Sequence, residues 1–379
     1  MLRGVNWRHF DFLLLGAVAV LSIFGITMIR SAVAGNIELT TETNLVQRQI
    51  VFAVLGFVMV ILIAGIDYHF WSSMSRTLYV VTAAALAILN VAAAAVFGSA
   101  RWFQMLQINI QPSELAKIVI ILVLADYFTR HQGQLENLNA VLRSLVYTLG
   151  IVVWIILQPN LSTSILIFVI WFALLWVGGL RLRHLTIFVG VGLFASAILL
   201  PLLFQIDVIK QYQLDRVTAF LFPDPDARYG DIYNIQQALI SIGSGGWFGQ
   251  GYGGGSQVQL RFLKVRWSDF IFSAMAEEFG FIGTLLVILL LVFVIFRCLR
   301  AASLARDTFG GLIAFGVAAM IAFQAAVNIG VNLRLLPATG LTLPFVSYGG
   351  SSLFTALMGI GLVQSVILRH KALEFLDME

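Results

Sequence analysis

The chain carries little charge for its length: only 11% of its 379 residues are charged, while 60% are hydrophobic. Soluble domains are nearer one quarter charged, so this composition excludes an ordinary soluble fold. The net charge of +4 is small and spread over many short loops, which argues against a nucleic-acid partner. Runs of about 20 apolar residues indicate membrane-spanning helices, because lipid offers exposed backbone no hydrogen-bond partner.

Two other features that would suggest particular chemistry are missing. Cys298 is the only cysteine, so no intrachain disulfide can form. The sequence has no Walker-type phosphate loop, which argues against an ATP site. Any reaction of this protein therefore has to use its few charged side chains and its backbone groups.

The apolar stretches predict an all-α polytopic membrane protein of about ten transmembrane helices, organised as a single domain over residues 1–379. A long polar loop, about 205–268, separates the seventh and eighth helices. Apolar spacing across Ile232 to Ile242 predicts a short amphipathic helix within this loop. The predicted spans are 11–30, 47–66, 77–97, 112–129, 139–157, 160–179, 183–204, 269–297, 308–333 and 344–368.

Lysine and arginine are distributed unevenly between the two sets of short loops. One set holds most of them, and the other holds few, chiefly Arg48, Arg101 and Arg334. The positive-inside rule makes the richer side cytoplasmic, so both termini are expected in the cytoplasm and the long loop outside. All five histidines then lie on the cytoplasmic side, and outer-face chemistry has to work without histidine as a base or metal ligand.

Acidic residues stand where the long loop meets the eighth span. Asp269 follows Trp267-Ser268 at this junction. A carboxylate there can act as a general base because partial desolvation makes it more basic, although it can equally be a helix cap. Glu277 and Glu278 lie deeper in the same span, where acids are either functional or paired with a cation from another helix.

Charged residues also occur at the start of the fourth span and in the loop before it. Glu114 and Lys117 are three apart on one helix face, which allows a static ion pair, a charge relay or a cation near an anionic headgroup. Arg101-Trp102 lies in the preceding loop. The forked guanidinium suits phosphate, but an interfacial anchor is the alternative.

The last outer loop, 336–352, contains two prolines and a Gly-Gly pair and predicts an irregular segment. Such backbone is tolerated in a membrane only where it is buried in protein or lines a wet cavity. Ser347 and Tyr348 fit the wall of a cavity. Helix packing through small residues is the alternative.

Taken together, these motifs resemble the SEDS family (shape, elongation, division and sporulation proteins) of RodA and FtsW type. The resemblance covers nearly the whole chain, and the segments occur in family order. The short termini favour a RodA-like member, although Thr342-Leu343-Pro344 is closer to FtsW. The matching segments are 101–102, 111–117, 158–163, 242–251, 268–280 and 343–352.

The resemblance implies peptidoglycan glycosyltransferase activity on lipid II, a disaccharide-peptide carried on undecaprenyl pyrophosphate, at the outer face of the bacterial cytoplasmic membrane. It also implies a class B penicillin-binding protein as partner. The catalytic aspartate of the family matches Asp269, which we expect to be the general base. Arg101, Lys117 and Lys264 or Arg266 are then candidate pyrophosphate contacts. A divalent cation could share that role, although no clustered ligand set demands one.

The sequence departs from the family pattern in several places, and other functions remain open. Asn160 and Ser162 stand where the family usually has Asp and Gly, Lys264-Val265 replace the usual Pro-Glu, Trp267 replaces a common His, and Arg334 is unusual in its span. A lipid II flippase would use Glu114, Lys117, Glu277 and Glu278 as its polar path, and a third possibility is a non-catalytic scaffold for the transpeptidase. The candidate charges lie mostly in the outer half, which favours the polymerase.

Overall fold

The computed structural model describes residues 7–34, 44–95, 103–105, 108–133, 137–180, 216–218, 220–222 and 230–369, with the single residues 186 and 190. A 3-10 helix, Trp7–His9, comes first. The helices are α1 (Phe12–Val33), α2 (Leu45–Gly65), α3 (Tyr68–Ala95), α4 (Pro112–Arg130), α5 (Leu138–Leu157), α6 (Leu161–Val177), α7 (Gly230–Gly245), α8 (Ser256–Gln259), α9 (Ile271–Leu304), α10 (Thr308–Asn332) and α11 (Gly350–Ile367).

The predicted helical membrane fold is confirmed. Nine of the ten predicted spans coincide with α1–α6 and α9–α11, whereas the span 183–204 lies outside the described residues except for 186 and 190. Within the described part of the chain, 7 helices are long and apolar enough to cross a membrane. The predicted amphipathic helix of the long loop is α7. A small antiparallel hairpin, β1 (Phe103–Met105) with β2 (Ile108–Ile110), was not predicted.

The most enclosed helices form the centre of the bundle. In the apolar stretches of α10 and α11, 67% and 72% of the residues are buried, against 22% in that of α3. Helix α4 is buried along nearly its whole length, although it carries Glu114, Lys117 and Asp126. The outer helices expose apolar side chains, as expected where they face lipid. Polar groups are thus held inside the bundle.

Helix α9 is interrupted where a glycine-rich loop, residues 246–255, packs against it. Gly280 has φ 67° and ψ −166°, a conformation open in practice only to glycine. The break leaves carbonyls of α9 available to the loop: the N–H of Gln250 donates to the Glu277 carbonyl and that of Gly251 to the Glu278 carbonyl, both at 2.9 Å. The loop is therefore bonded to the kink through backbone atoms. The end of the bundle that carries this loop is called the loop end below.

Replacing Gly280 with alanine should destabilise the protein. A Cβ at this position would lie 2.4 Å from the backbone nitrogen of Gly249, and the backbone conformation is itself unfavourable by about 1–3 kcal/mol for other residues. Thermal unfolding in detergent should show a clearly lower Tm for Gly280→Ala. Gly243→Ala is the matched control, because a Cβ there meets nothing within 4 Å. Equal Tm values for the two variants would contradict this account.

Candidate functional site

A cleft of about 430 Å³ opens at the loop end of the bundle, between α4, α6, α10 and the two irregular segments that flank α9 and α11. Both Asp269 and Glu114 line it. The lining is polar, with carboxylate, amide, hydroxyl and guanidinium groups. Its residues are Gln111, Glu114, Asn160, Thr163, Arg216, Val265, Trp267, Ser268, Asp269, Gln324, Thr339, Gly340, Leu341, Thr342, Tyr348, Gly349 and Ser352.

Asp269 does not cap the helix that follows it. Helix α9 begins at Ile271, and its N-cap is Phe270, which makes no side-chain capping bond. The Ser268 hydroxyl donates to Oδ1 of Asp269 at 3.0 Å, and the side chain is half-buried at the cleft wall. The helix-cap interpretation is therefore wrong, and the carboxylate lies where a substrate hydroxyl can approach it.

The backbone of Asp269 is held by two amides of α10. Nδ2 of Asn328 and Nδ2 of Asn332 donate to the Asp269 carbonyl at 3.1 and 2.9 Å. Asn332 also accepts from the N–H and hydroxyl of Ser273, in the first turn of α9. Both asparagines are at most 1% exposed. Together they fix the position of the carboxylate relative to α10.

Ser347 is buried behind the cleft wall and bonds there to two backbone groups. Its hydroxyl donates to the Ser268 carbonyl and accepts from the Leu343 N–H, each at 2.8 Å, and the residue is 3% exposed. Tyr348 donates its N–H to the Trp267 carbonyl at 2.8 Å and lines the cleft. The two predicted residues thus differ in their roles. Ser347 supports the backbone before Asp269, while Tyr348 can contact a ligand.

Glu114 and Lys117 form a buried ion pair at 2.6 Å. The Lys117 side chain is 1% exposed and the Glu114 side chain 10%. Glu114 lines the cleft, whereas Lys117 is not among the lining residues. The carboxylate thus stands between the ammonium group and the cleft, so a direct contact of Lys117 with a phosphate would require Glu114 to move.

Glu277 and Glu278 receive hydrogen bonds from neutral groups. Glu277 accepts from the N–H groups of Gln257 at 2.8 Å and Val258 at 3.2 Å, and so caps α8. Glu278 accepts from the Ser31 hydroxyl of α1. Neither forms an ion pair with a described residue, so the predicted cation partner is absent from this part of the chain. Both acids attach the glycine-rich loop and α1 to α9.

Arg266 is also part of this attachment. Its Nε donates to the Ala32 carbonyl at 2.6 Å, in the last turn of α1, where a cation complements the helix dipole. The residue is 4% exposed, and burial lowers the pKa of the Arg266 guanidinium, with Arg261 adding to the effect. Two of its three nitrogens bond to backbone carbonyls, and the residue does not line the cleft, so it is not placed for the pyrophosphate contact expected from the sequence.

Arg216 is the cation that the sequence argument did not select. It lines both this cleft and an adjoining cavity of about 260 Å³. It lies within the long polar loop, where one arginine among many loop residues carries no distinguishing pattern. Arg101 and Trp102 lie outside the described residues. The described residues contain no group of three or more His, Cys, Asp or Glu side chains that could hold a metal ion.

Asn160 has a local role that explains how an amide is accommodated here. It is the N-cap of α6, and its Oδ1 accepts from the Thr163 N–H at 3.3 Å. Its Nδ2 reaches the Ser113 hydroxyl at 3.5 Å. Asparagine is as good an N-cap as aspartate, so this departure from the family pattern leaves the helix start intact while removing a charge from the cleft.

Three comparisons point to the same group of proteins. Residues 11–372 match a family model for FtsW, RodA and SpoVE, described as cell cycle protein. A probable peptidoglycan glycosyltransferase FtsW of Hydrogenovibrio crunogenus is 35% identical over 379 residues, covering 97% of this chain and 95% of the relative. The crystal structure of the rod shape determining protein RodA of Thermus thermophilus has a TM-score of 0.68 and 29% identity, covering 96% of this chain and 98% of that one.

A second solved structure is similar over almost the same length. It is the structure of a peptidoglycan synthase complex, and its description concerns the structural coordination of polymerization and crosslinking by that complex. The similar chain has a TM-score of 0.77 and 30% identity, with 94% of this chain and 97% of that chain covered. The likenesses thus include both FtsW and RodA, so a RodA-like subfamily stays a prediction.

Removing one partner of the buried ion pair should be worse than removing both. Lys117→Met leaves Glu114 without its cation and should destabilise the protein by about 3–5 kcal/mol. The double variant Lys117→Met/Glu114→Gln has no buried charge and should recover most of the lost stability. Thermal unfolding of the two single variants and the double variant gives the coupling directly. Additive losses would show that the pair is not coupled.

Proposed function

This chain belongs to the FtsW, RodA and SpoVE family of cell cycle proteins, and we propose that it is a peptidoglycan glycosyltransferase. Its substrate is lipid II, which it polymerises into glycan strands at the outer face of the cytoplasmic membrane. The relatives are bacterial and the chain has membrane-spanning helices, so it is a bacterial membrane protein. The observation that carries the proposal is Asp269, a half-buried carboxylate held rigidly in the wall of a polar cleft.

The cleft supplies the groups that glycosyl transfer needs. In the proposed step Asp269 removes a proton from the acceptor hydroxyl, whose oxygen attacks the anomeric carbon of the donor sugar. The bond from that carbon to the pyrophosphate oxygen breaks, and the pyrophosphate leaves with the electron pair. Arg216, which lines the same cleft, can stabilise the developing charge with its forked donors.

The positioning of Asp269 supports its role as a base. A general base has to be within hydrogen-bond reach of the proton that it removes, so its orientation matters as much as its basicity. Asn328, Asn332 and Ser347 bond to the backbone on both sides of the carboxylate-bearing residue. The site therefore does not have to spend binding energy on ordering its base.

Three further acids in the described part of the chain, Glu277, Glu278 and Asp126, are each bonded to a neighbouring group. Glu277 and Glu278 are occupied by loop and α1 donors at the loop end. Asp126, at the opposite end of α4, is paired with Arg130 at 3.0 Å. Since a transporter needs a polar path between both faces, these fixed bonds favour the polymerase over the flippase.

We also propose a class B penicillin-binding protein as partner, with its single membrane helix packed near α9 and α10. The similar chain in a peptidoglycan synthase complex supports this assignment. A scaffold without activity would not need an ordered carboxylate in a polar cleft. Whether the protein serves elongation or division follows from the transpeptidase with which it pairs.

Replacing Asp269 should abolish polymerisation without unfolding the protein. Asp269→Asn keeps the size of the side chain but cannot accept the proton, so the rate should fall by about 100- to 10,000-fold. The measurement is glycan formed from lipid II by the purified chain with its cognate transpeptidase. Asp67→Asn is the control, since its side chain is 54% exposed at the opposite end of the bundle. Equal glycan from wild type and Asp269→Asn would remove Asp269 as the base.

The orientation of the chain can be tested by labelling engineered thiols. Phe248 is 81% exposed at the loop end, and Ser303 is exposed at the opposite end of α9. In intact cells Phe248→Cys should react with a membrane-impermeant maleimide, whereas Ser303→Cys should react only after permeabilisation. The native Cys298 is 0% exposed and should stay unlabelled. The reverse pattern would place the cleft in the cytoplasm and exclude an outer-face polymerase.

A further inference from the structure

Three amides form a ladder along one face of α10. Gln324, Asn328 and Asn332 are spaced four residues apart, so they lie one above another along the helix. The two upper amides hold the carbonyl of Asp269. Gln324 lies one turn further from the loop end, about 6 Å along the axis from Asn328. The ladder therefore continues from the backbone of Asp269 into the bundle.

The amide nitrogen of the lowest residue in this ladder has no hydrogen-bond partner in the part of the chain that the structure describes. Gln324 is 2% exposed, lines the cleft, and its Nε2 makes no hydrogen bond there. An unpartnered buried amide is unfavourable for folding. Gln364, another buried glutamine, shows the usual arrangement: it accepts from the Asp11 N–H at 3.0 Å and donates to the Asp11 carbonyl at 2.8 Å.

We propose that Gln324 is a substrate-binding residue, whose side-chain amide donates a hydrogen bond to an uncharged hydroxyl or carbonyl oxygen in the sugar portion of the substrate. This inference rests on the proposed function and adds a ligand contact to it. An uncharged oxygen fits better than a phosphate oxygen, because Glu114 and Asp269 line the same cleft and repel an anion. The cation Arg216 is the better contact for the pyrophosphate.

A substrate-binding role and a purely structural role for Gln324 predict different changes in Tm and KM. Gln324→Met keeps the length of the side chain but removes the amide. Because the amide nitrogen has no partner in the described structure, removing the amide should leave Tm unchanged or raise it. The same change should raise KM for lipid II about tenfold, which corresponds to one hydrogen bond of about 1.4 kcal/mol, with a smaller effect on kcat.

The control is the same substitution at a glutamine whose amide is bonded. Gln364→Met should lower Tm and leave KM for lipid II unchanged, since it lies at the opposite end of the bundle beside Asp11. A Tm loss for Gln324→Met as large as that for Gln364→Met would overturn the proposal, because the amide would then have a structural partner. An unchanged KM would overturn it as well.

Direct binding distinguishes this inference from the proposed function. In the Asp269→Asn background, lipid II should bind about ten times more weakly when Gln324→Met is added. Undecaprenyl pyrophosphate, which has no sugar, should bind equally to both proteins, and a loss there would assign Gln324 to the phosphate and overturn the proposal. If the wild type bound lipid II but made no polymer, the glycosyltransferase assignment would fail. Weaker lipid II binding by the Gln324 variant would still support the sugar contact.

Discussion

The Asp269 carbonyl is the group on which the arrangement of the site depends. It lies in irregular backbone next to a membrane-spanning helix, where an unbonded carbonyl is strongly unfavourable. Asn328 and Asn332 satisfy it, and Asn332 simultaneously bonds the first turn of α9. The same bonds that make this backbone acceptable in a membrane also place the carboxylate against α10. Stability and positioning of the site thus have one physical origin.

The helices and the location of Asp269 could be predicted from the sequence, because both follow from one-dimensional patterns. Apolar runs mark the spans, and an acid at the end of the long loop stands out against them. The partners of Glu277 and Glu278 could not be predicted, since they are backbone N–H groups and a hydroxyl that leave no pattern in the sequence. A cation was the natural expectation, but N–H groups of α8 and the Ser31 hydroxyl of α1 bond to the two acids instead.

The ladder of Gln324, Asn328 and Asn332 could have been predicted, because its spacing is visible in the sequence. Three amides at four-residue intervals in an otherwise apolar helix indicate one polar face directed away from lipid. Amides, like charged groups, are unfavourable in an apolar environment, so their spacing carries the same kind of information. Arg216 had no comparable signal, since it is one of several cations in a long polar loop. Its placement at the cleft requires the three-dimensional fold.

The turn before Asp269 shows how a departure from the family pattern is accommodated. Val265 has φ 50°, a conformation that β-branched residues rarely adopt, and it lines the cleft. Its carbonyl accepts from the Ser268 N–H at 3.0 Å and the Phe270 N–H at 3.4 Å, so the turn encloses the Asp269 peptide. Strain of this kind persists only where the surrounding bonds determine the conformation. The bonds from Asn328, Asn332 and Ser347 to the carbonyls of Asp269 and Ser268 supply that constraint.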